Sequence, residues 1–169
     1  MRIKKTIDHD ELLSTLSYDS ETGIFKWLKT NSVVRVKGSI AGGVSGGYIC
    51  ISINNVLYYA HRLAWFYMTG KPANCLIDHI NGDRTDNRFS NLRLANRSQN
   101  GMNRNIQRNN KSGYPGVCWH KNLCKWTVSF KKNKKQVHVG CFDDLDEAIS
   151  ASMMARAENF GEFARQRIE

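Results

Sequence analysis

The sequence lacks several features that would assign it to a special class. It has no run of about 20 apolar residues, which a membrane-spanning helix requires. Its five cysteines form no C-x-x-C pair, so we expect neither a disulfide framework nor structural zinc. No apolar core follows the charged first residues, so we expect no secretion signal. These absences favour a globular protein in a reduced, cytosolic setting without a membrane partner.

Acidic residues are missing from one long block of the chain. Residues 87–142 contain twelve Lys and Arg and no Asp or Glu, although the chain has 15 acids and a formal net charge of +10. A solvated protein face usually mixes both signs, so an acid-free basic block indicates a polyanionic partner, with nucleic acid as the leading candidate. The alternatives are simple solubility and an anionic membrane surface, although the block has no amphipathic helix that would bind membranes.

The first 70 residues predict short helices and hairpins. The glycine-rich loop and the Asn54-Asn55 pair, which tolerates positive φ, mark the turns. Apolar periodicity and turn signals predict a helix at 8–17, a strand from 24, a loop at 38–47, a hairpin at 48–61 and a helix at 61–70.

The stretch "CLIDHINGDRTDNRFSNLRLANRSQN" (75–100) carries most of the candidate chemistry. It predicts a strand, a long polar loop, a second strand and a weakly formed helix. Phosphodiester hydrolysis needs a base to activate water and a cation to hold the developing charge. The neutral imidazole of His79 can be the base, and Asp78 can hold a hard cation such as Mg²⁺. Neighbouring side chains of a strand point to opposite faces, so both reach one phosphate only if the strand ends or bends there.

The asparagines of the same stretch can complete such a site. An amide oxygen is a neutral metal ligand, so Asn100 could reach back to the cation, while Asn91 could tie down the loop or orient His79. A single Asn is more often a turn former or cap, and a lone Asp-His pair is more often a surface ion pair. The combination favours a catalytic site.

"HRLAW" (61–65), "IDHINGDRTDNR" (77–88), "SNLR" (90–93) and Gln99-Asn100 together resemble the HNH nucleases, most closely the His-Asn-Asn variant of phage and intron-encoded homing endonucleases. The resemblance implies a ββα-metal fold and one divalent ion, Mg²⁺ or Mn²⁺. It implies that Asp78 and Asn100 bind the metal, that His79 is the general base and that Asn91 supports it. It also implies 3′-hydroxyl and 5′-phosphate products. His61 is either a phosphate contact or a structural histidine.

Three short strands and a capped helix are predicted after Gly116. The helix starts at Asp144-x-x-Glu147 and ends near Gly161. Its expected apolar stripe is Leu145, Ile149, Met153, Ala157 and Phe160. Alternation places Lys125, Thr127, Ser129 and Lys131 on one face of the second strand.

Residues 112–164 resemble the DNA-binding domain of plant ethylene-response factors, the Apetala-two type, through Gly-Val, Lys-Trp, Val-Gly-x-Phe and the Ala-rich helix. In that family the sheet enters the major groove of double-stranded DNA. Cys118 and His120 replace the family's arginines. A metal site at Cys118, His120 and Cys124 would lack a fourth ligand. The residues expected to contact DNA are Arg93, Arg97, Arg104, Arg108, Lys111, Trp119, His120, Lys125, Thr127, Ser129, Lys131, Lys134 and Lys135.

The expected class is α+β, with a ββα-metal core followed by a three-stranded antiparallel sheet packed on one helix. The predicted division is an N-terminal extension (1–47), a nuclease domain (48–105), a linker (106–111) and a DNA-binding domain (112–165). A non-catalytic DNA-binding regulator is the alternative function. No coiled coil or other dimer seam is visible, which favours a monomer without defining the oligomeric state.

Overall fold

The computed structural model describes residues 7–103, 110–132 and 135–164. The chain divides into two compact units, Met1–Ala95 and Asn96–Glu169. Within the described residues there are four α-helices and several small antiparallel sheets, an arrangement consistent with the α+β class. None of the helices found there is long and apolar enough to cross a membrane.

The first unit starts with a helix and a hairpin. Helix α1 (His9–Thr15) begins at Asp8, whose carboxylate accepts a hydrogen bond from the amide of Glu11. The helix ends earlier than predicted because Leu16 turns extended and starts β1 (Leu16–Asp19), which pairs antiparallel with β2 (Ile24–Trp27). The second of these strands was predicted from the sequence, and the first was not.

A three-stranded sheet follows, in the order β3-β4-β5. Strands β4 (Tyr48–Ile53) and β5 (Val56–Tyr59) form the predicted hairpin, and both turn residues, Asn54 and Asn55, have positive φ as expected. The additional strand β3 (Gly43–Ser45) lies within the predicted glycine loop and pairs with β4. Helix α2 (Ala60–Thr69) ends at Gly70, whose left-handed conformation stops it.

The predicted strand, loop and strand around His79 are present. Strand β6 (Leu76–His79) pairs antiparallel with β7 (Leu92–Ala95), and residues 80–91 connect them. A short 3-10 turn (Phe89–Asn91) precedes β7, so Asn91 lies before the second strand instead of opening it. The guanidinium of Arg62 on α2 donates to the carbonyls of Ala73 and Cys75, which fixes the chain just before β6.

One apolar core holds the first unit together. It joins residues of α1 and the β1–β2 hairpin to β4, α2, β6 and β7. Phe25 and Leu16 from the hairpin are as deeply buried in it as Ile51 from the sheet. Residues on both sides of the predicted boundary at 47/48 therefore share this core, and the β6–β7 hairpin packs on a scaffold that includes the N-terminal segment.

The second unit contains a short helix, a sheet and a long helix. Helix α3 (Arg97–Met102) begins with a capping box in which Asn96 and Gln99 bond each other's backbone amides. Strands β8 (Val117–His120), β9 (Lys125–Lys132) and β10 (Lys135–Phe142) form an antiparallel sheet in the order β10-β9-β8. Helix α4 (Leu145–Phe160) packs on it around Val117, Val128 and Ala148.

The buried face of α4 differs from the predicted stripe. Ala148, Ser152 and Arg156 are buried with Phe160, whereas Met153 is 58 % exposed. The polar members are tolerated because each has a partner: Ser152 donates to the carbonyl of Pro115, and Arg156 donates to that of Met102. The apolar pattern alone therefore predicted a buried face that is shifted by about one residue from the observed one.

Candidate active site

His79, the last residue of β6, lies in a pocket of aromatic rings. It is 5 % exposed, and its ring meets that of His61 edge-on with the centres 5.0 Å apart. The ring of Tyr48 on β4 lies 6.3 Å away, and Tyr59 stacks on His61. The register pairs His79 with Leu92, a member of the apolar core, so the imidazole projects to the core side of the β6–β7 hairpin.

Asn87 in the connecting loop holds the ring of His79. The Nε2 atom of His79 lies 3.3 Å from the side-chain oxygen of Asn87. The amide orientation is set by its other end, because Asn87 Nδ2 donates to the carbonyl of Thr85 at 3.1 Å. An oxygen acceptor facing Nε2 favours the tautomer in which Nε2 carries the proton.

Burial lowers the pKa of His79 below its ordinary value. The hydrogen bond to Asn87 and the carboxylates of Asp78, Asp83 and Asp86 act in the opposite direction without reversing it. The imidazole is therefore neutral at neutral pH, which is the protonation state that a general base requires.

His61 is buried beside His79 and carries no charge. Burial, followed by the charges of His79 and Arg62, lowers the pKa of His61 to about 3. Its Nδ1 atom is buried and has no hydrogen-bond partner within the described residues. A neutral, buried ring cannot serve as a cation for phosphate. As a structural histidine, His61 would have one ring nitrogen without a partner among the described residues.

Asp78 lies on the other side of the strand from His79. Its cross-strand partner is Arg93, whose Nε and NH2 atoms donate to Oδ2 of Asp78 at 3.0 and 2.8 Å. The side chains are only 7 % and 12 % exposed. Arg93 was predicted as a DNA contact; here it neutralises the carboxylate of Asp78.

The donor chemistry around Asp78 fits a hard divalent cation in part. A carboxylate oxygen is the ligand type that Mg²⁺ prefers, and this ion often takes only one or two ligands from protein. Within the described residues, however, no three His, Cys, Asp or Glu side chains gather as a metal cluster. The chain therefore offers one anionic ligand here, shared with Arg93, and no closed metal cage in the part of the chain that is described.

Asn91 closes the loop between β6 and β7. Its Oδ1 accepts from the amide of Asn81, and its Nδ2 donates to Oδ1 of Asn81 and to the carbonyl of Asp86. These bonds tie both ends of the loop together, the first of the two roles considered for this residue. Its assigned support of His79 stays a prediction, whereas the side chain of Asn87 does contact the imidazole.

An exposed arginine lies close to the buried rings. The guanidinium of Arg84 covers the face of Tyr48, 4.9 Å from the ring centre. Tyr48 itself contacts both His61 and His79. Arg84 was predicted only as part of a polar loop, so this cation on the ring of Tyr48 was missed.

The remaining assigned residues lie in the second unit. Asn100 is an exposed residue of α3, and its role as a metal ligand stays a prediction. Arg97 and Lys111 are exposed as well. Three residues of the predicted DNA contact set lie outside the described residues: Arg104, Arg108 and Lys134.

The sheet of the second unit has two distinct faces. Val128 and Phe130 are buried on one face, so Lys125, Thr127, Ser129 and Lys131 alternate onto the other, together with His120, the cross-strand partner of Lys125. Lys131 and Lys135 are exposed, and Lys125 pairs with Asp143 at 3.0 Å.

Trp119 lies on the opposite face from these residues. It pairs with Trp126, on the side that carries Val117 and Val128, and is 44 % exposed. Contact between Trp119 and DNA therefore stays a prediction that does not share the surface of Lys125 and Thr127.

Comparison with known proteins places this site in a family. An HNH endonuclease family model matches residues 58–102. Protein 3.8 of Escherichia phage T7 is 33 % identical over 108 residues, which cover 63 % of this chain and 88 % of the relative. No solved structure matches. The chain belongs to the same family as phage T7 Protein 3.8 and carries an HNH endonuclease domain at residues 58–102.

Proposed function

We propose that this protein is a metal-dependent endonuclease that hydrolyses phosphodiester bonds of double-stranded DNA, either nicking it or cutting both strands. The observation that supports this most directly is the environment of His79: a buried, neutral imidazole held by Asn87 at the end of β6, within the HNH domain. Binding alone would not need a base in this protonation state.

His79 accepts the proton of a water molecule on its ring, while Asn87 holds Nε2. The water oxygen attacks phosphorus, the bond to the 3′-oxygen breaks, and that oxygen takes a proton from solvent, so the products have 3′-hydroxyl and 5′-phosphate ends. The exposed guanidinium of Arg84 supplies positive charge near the phosphate. Asn91 keeps the loop in place while this happens.

Asp78 would hold the divalent cation, and the resemblance names Asn100 as a second ligand. When bound, Mg²⁺ or Mn²⁺ would stabilise the negative charge that develops on the attacked phosphate. Arg93 compensates the buried carboxylate of Asp78 through their hydrogen-bonded ion pair.

The second unit binds the DNA backbone in this proposal and adds some sequence preference. Its sheet and following helix resemble the Apetala-two arrangement, and the face carrying Thr127, Ser129 and Lys131 is polar and basic. The division at 48–105 and 112–165, the homing-type activity, the phage origin and the cytoplasm of the infected host as the place of action are part of the same proposal.

Relaxation of supercoiled plasmid tests the activity. Purified protein with Mg²⁺ should nick or linearise the plasmid, and EDTA should prevent it. His79→Ala should abolish cleavage and retain the gel shift of DNA, whereas His9→Ala, a histidine on α1 that bonds the carbonyl of Tyr67, should cut normally. DNA retardation without strand breaks under both Mg²⁺ and Mn²⁺ would instead support the non-catalytic DNA-binding protein.

A further inference from the structure

We propose that Tyr18 and Asn87 are positioning residues for His79: the N-terminal β1–β2 hairpin holds the loop that carries Asn87, and Asn87 determines which nitrogen of His79 carries the proton. The hairpin lies outside the 58–102 segment that the HNH family model matches. The inference rests on the proposed nuclease function for its catalytic consequence, and its structural part can be measured without any cleavage.

The first contact joins the hairpin to the backbone of Asn87. The hydroxyl of Tyr18 donates to the carbonyl oxygen of Asn87 at 2.7 Å. Tyr18 is held in place by the rings of Phe25 and Tyr67, with centres 4.6 and 5.7 Å away. Burial raises the pKa of Tyr18 above its usual range, so the hydroxyl keeps the proton that it donates.

The turn of the hairpin contacts the same part of the loop. Gly23 has a φ of +71°, and a Cβ at this position would lie 2.4 Å from the amide nitrogen of Arg88 and from the carbonyl carbon of Asn87. The amide of Phe89 donates to the carbonyl of Ser20 at 3.0 Å. Residues 87–89 are therefore fixed against the hairpin at three points, and only glycine fits at the turn.

The last contact joins the fixed loop to the imidazole of His79. Asn87 is 2 % exposed, and its amide spans the distance between the carbonyl of Thr85 and Nε2 of His79. Because the carbonyl can only accept, the amide cannot flip without losing a buried hydrogen bond. The backbone position set by Tyr18 and the orientation set by Thr85 together present an oxygen to His79.

Asn91 cannot replace this function. Its side chain bonds Asn81 and the carbonyl of Asp86, which closes the loop. Loss of Asn87 should therefore leave a closed loop in which the ring of His79 has lost one defined acceptor. This distinguishes a positioning role of Asn87 from a general contribution to folding.

Long-range ¹H–¹⁵N NMR of protein labelled with ¹⁵N-histidine reads the tautomer directly. The signals of His79 are those missing from the His79→Gln spectrum. We expect the Nε2–H tautomer in the wild type and a shift toward the Nδ1–H form in Asn87→Leu. Tyr58→Phe is the matched control for Tyr18→Phe. The hydroxyl that it removes accepts a hydrogen bond from the amide of Ile7. The Nδ1–H tautomer in the wild type would overturn the proposal. The same would follow if Asn87→Leu had the tautomer of the wild type.

Kinetics on supercoiled plasmid measure the catalytic consequence. Asn87→Leu should lower the maximal nicking rate by about 10- to 100-fold with little change in KM, because the base is misaligned while DNA binding is intact. Tyr18→Phe should have a smaller effect that disappears in the Asn87→Leu background, since both act through one contact chain.

The two measurements separate this proposal from the proposed function. The expected tautomers in a protein that never cuts DNA would reject the nuclease and leave the contact chain intact. Cleavage by Asn87→Leu at the wild-type rate, with a melting temperature close to that of the wild type, would reject the positioning role and leave the nuclease intact.

Discussion

The carboxylate of Asp78 and the guanidinium of Arg93 face each other across the β6–β7 hairpin and form a nearly buried ion pair with two hydrogen bonds. Asp78 is also the residue proposed to hold the divalent cation. A divalent cation at Asp78 and the guanidinium of Arg93 would therefore compete to neutralise the same carboxylate. This competition can be measured.

We expect Arg93→Met to destabilise the protein by about 3 kcal/mol, because the buried carboxylate of Asp78 loses its ion pair with Arg93. Millimolar Mg²⁺ should restore part of this loss and raise the melting temperature of Arg93→Met more than that of the wild type. Differential scanning fluorimetry with and without EDTA measures both effects. The double variant Asp78→Asn/Arg93→Met serves as control and should not respond to Mg²⁺; an equal response would locate the ion elsewhere.

The stability of the first unit should fall below pH 6.5 because of His61. Its pKa is lowered to about 3 in the folded protein, so the unfolded chain binds a proton that the folded chain does not. Stability from this group is complete above the unfolded pKa of about 6.5 and is lost as the pH falls, by up to about 1.4 kcal/mol per pH unit. Urea unfolding at a series of pH values should give a flatter dependence for His61→Leu. An identical slope would mean that His61 is not the titrating group.

Arg84 should matter for cleavage far more than for folding. Its guanidinium is exposed on the ring of Tyr48, so Arg84→Ala should change stability by less than about 1 kcal/mol. If it stabilises charge on the phosphate, the nicking rate should fall by about 10- to 100-fold. Arg35→Ala removes another cation placed over an aromatic ring, that of Trp27, and should cut normally. Equal rates for the two variants would remove Arg84 from the site.

The lysines of β9 and β10 should contribute sequence-independent binding. Replacing Lys131 and Lys135 by Ala should weaken binding to every DNA sequence and make the slope of log K against log salt less steep, by about one for each phosphate that is no longer neutralised. Fluorescence anisotropy over a range of salt concentrations measures this slope. Lys26→Ala with Lys29→Ala in the first unit removes the same charge and should leave the slope unchanged; a similar decrease would indicate a general charge effect.

Local signals made much of the fold predictable. The Asn54-Asn55 turn, the stop of α2 at Gly70 and the start of α4 at Asp144 each depend on a few neighbouring residues, and each is present. The sequence pattern failed to predict structure that depends on contacts between residues far apart in the chain. Leu16 leaves α1 to pair with Trp27, and Ser152 and Arg156 are buried because carbonyls far away in sequence accept their hydrogen bonds.

The candidate site divides in the same way. His79 and Asp78 were identified by their chemistry and by the polar loop that follows them. Asn87 stood within the quoted motif but was one of many asparagines, and Tyr18 offered no signal at all. Which amide bonds the imidazole depends on how the loop folds back, and that in turn depends on a hairpin about 70 residues earlier in the chain.

The amino-acid sequence by itself determined most of the short helices and strands, the acid-free basic block and the neighbouring carboxylate and imidazole, because these depend on residue type and local spacing. Tertiary structure decided that Asp78 pairs with Arg93, that Asn87 holds His79 and that Tyr18 holds Asn87. Strand register and the packing of separate elements set the direction of each side chain, and only packing brings a hydroxyl, an amide and an imidazole into one hydrogen-bonded line.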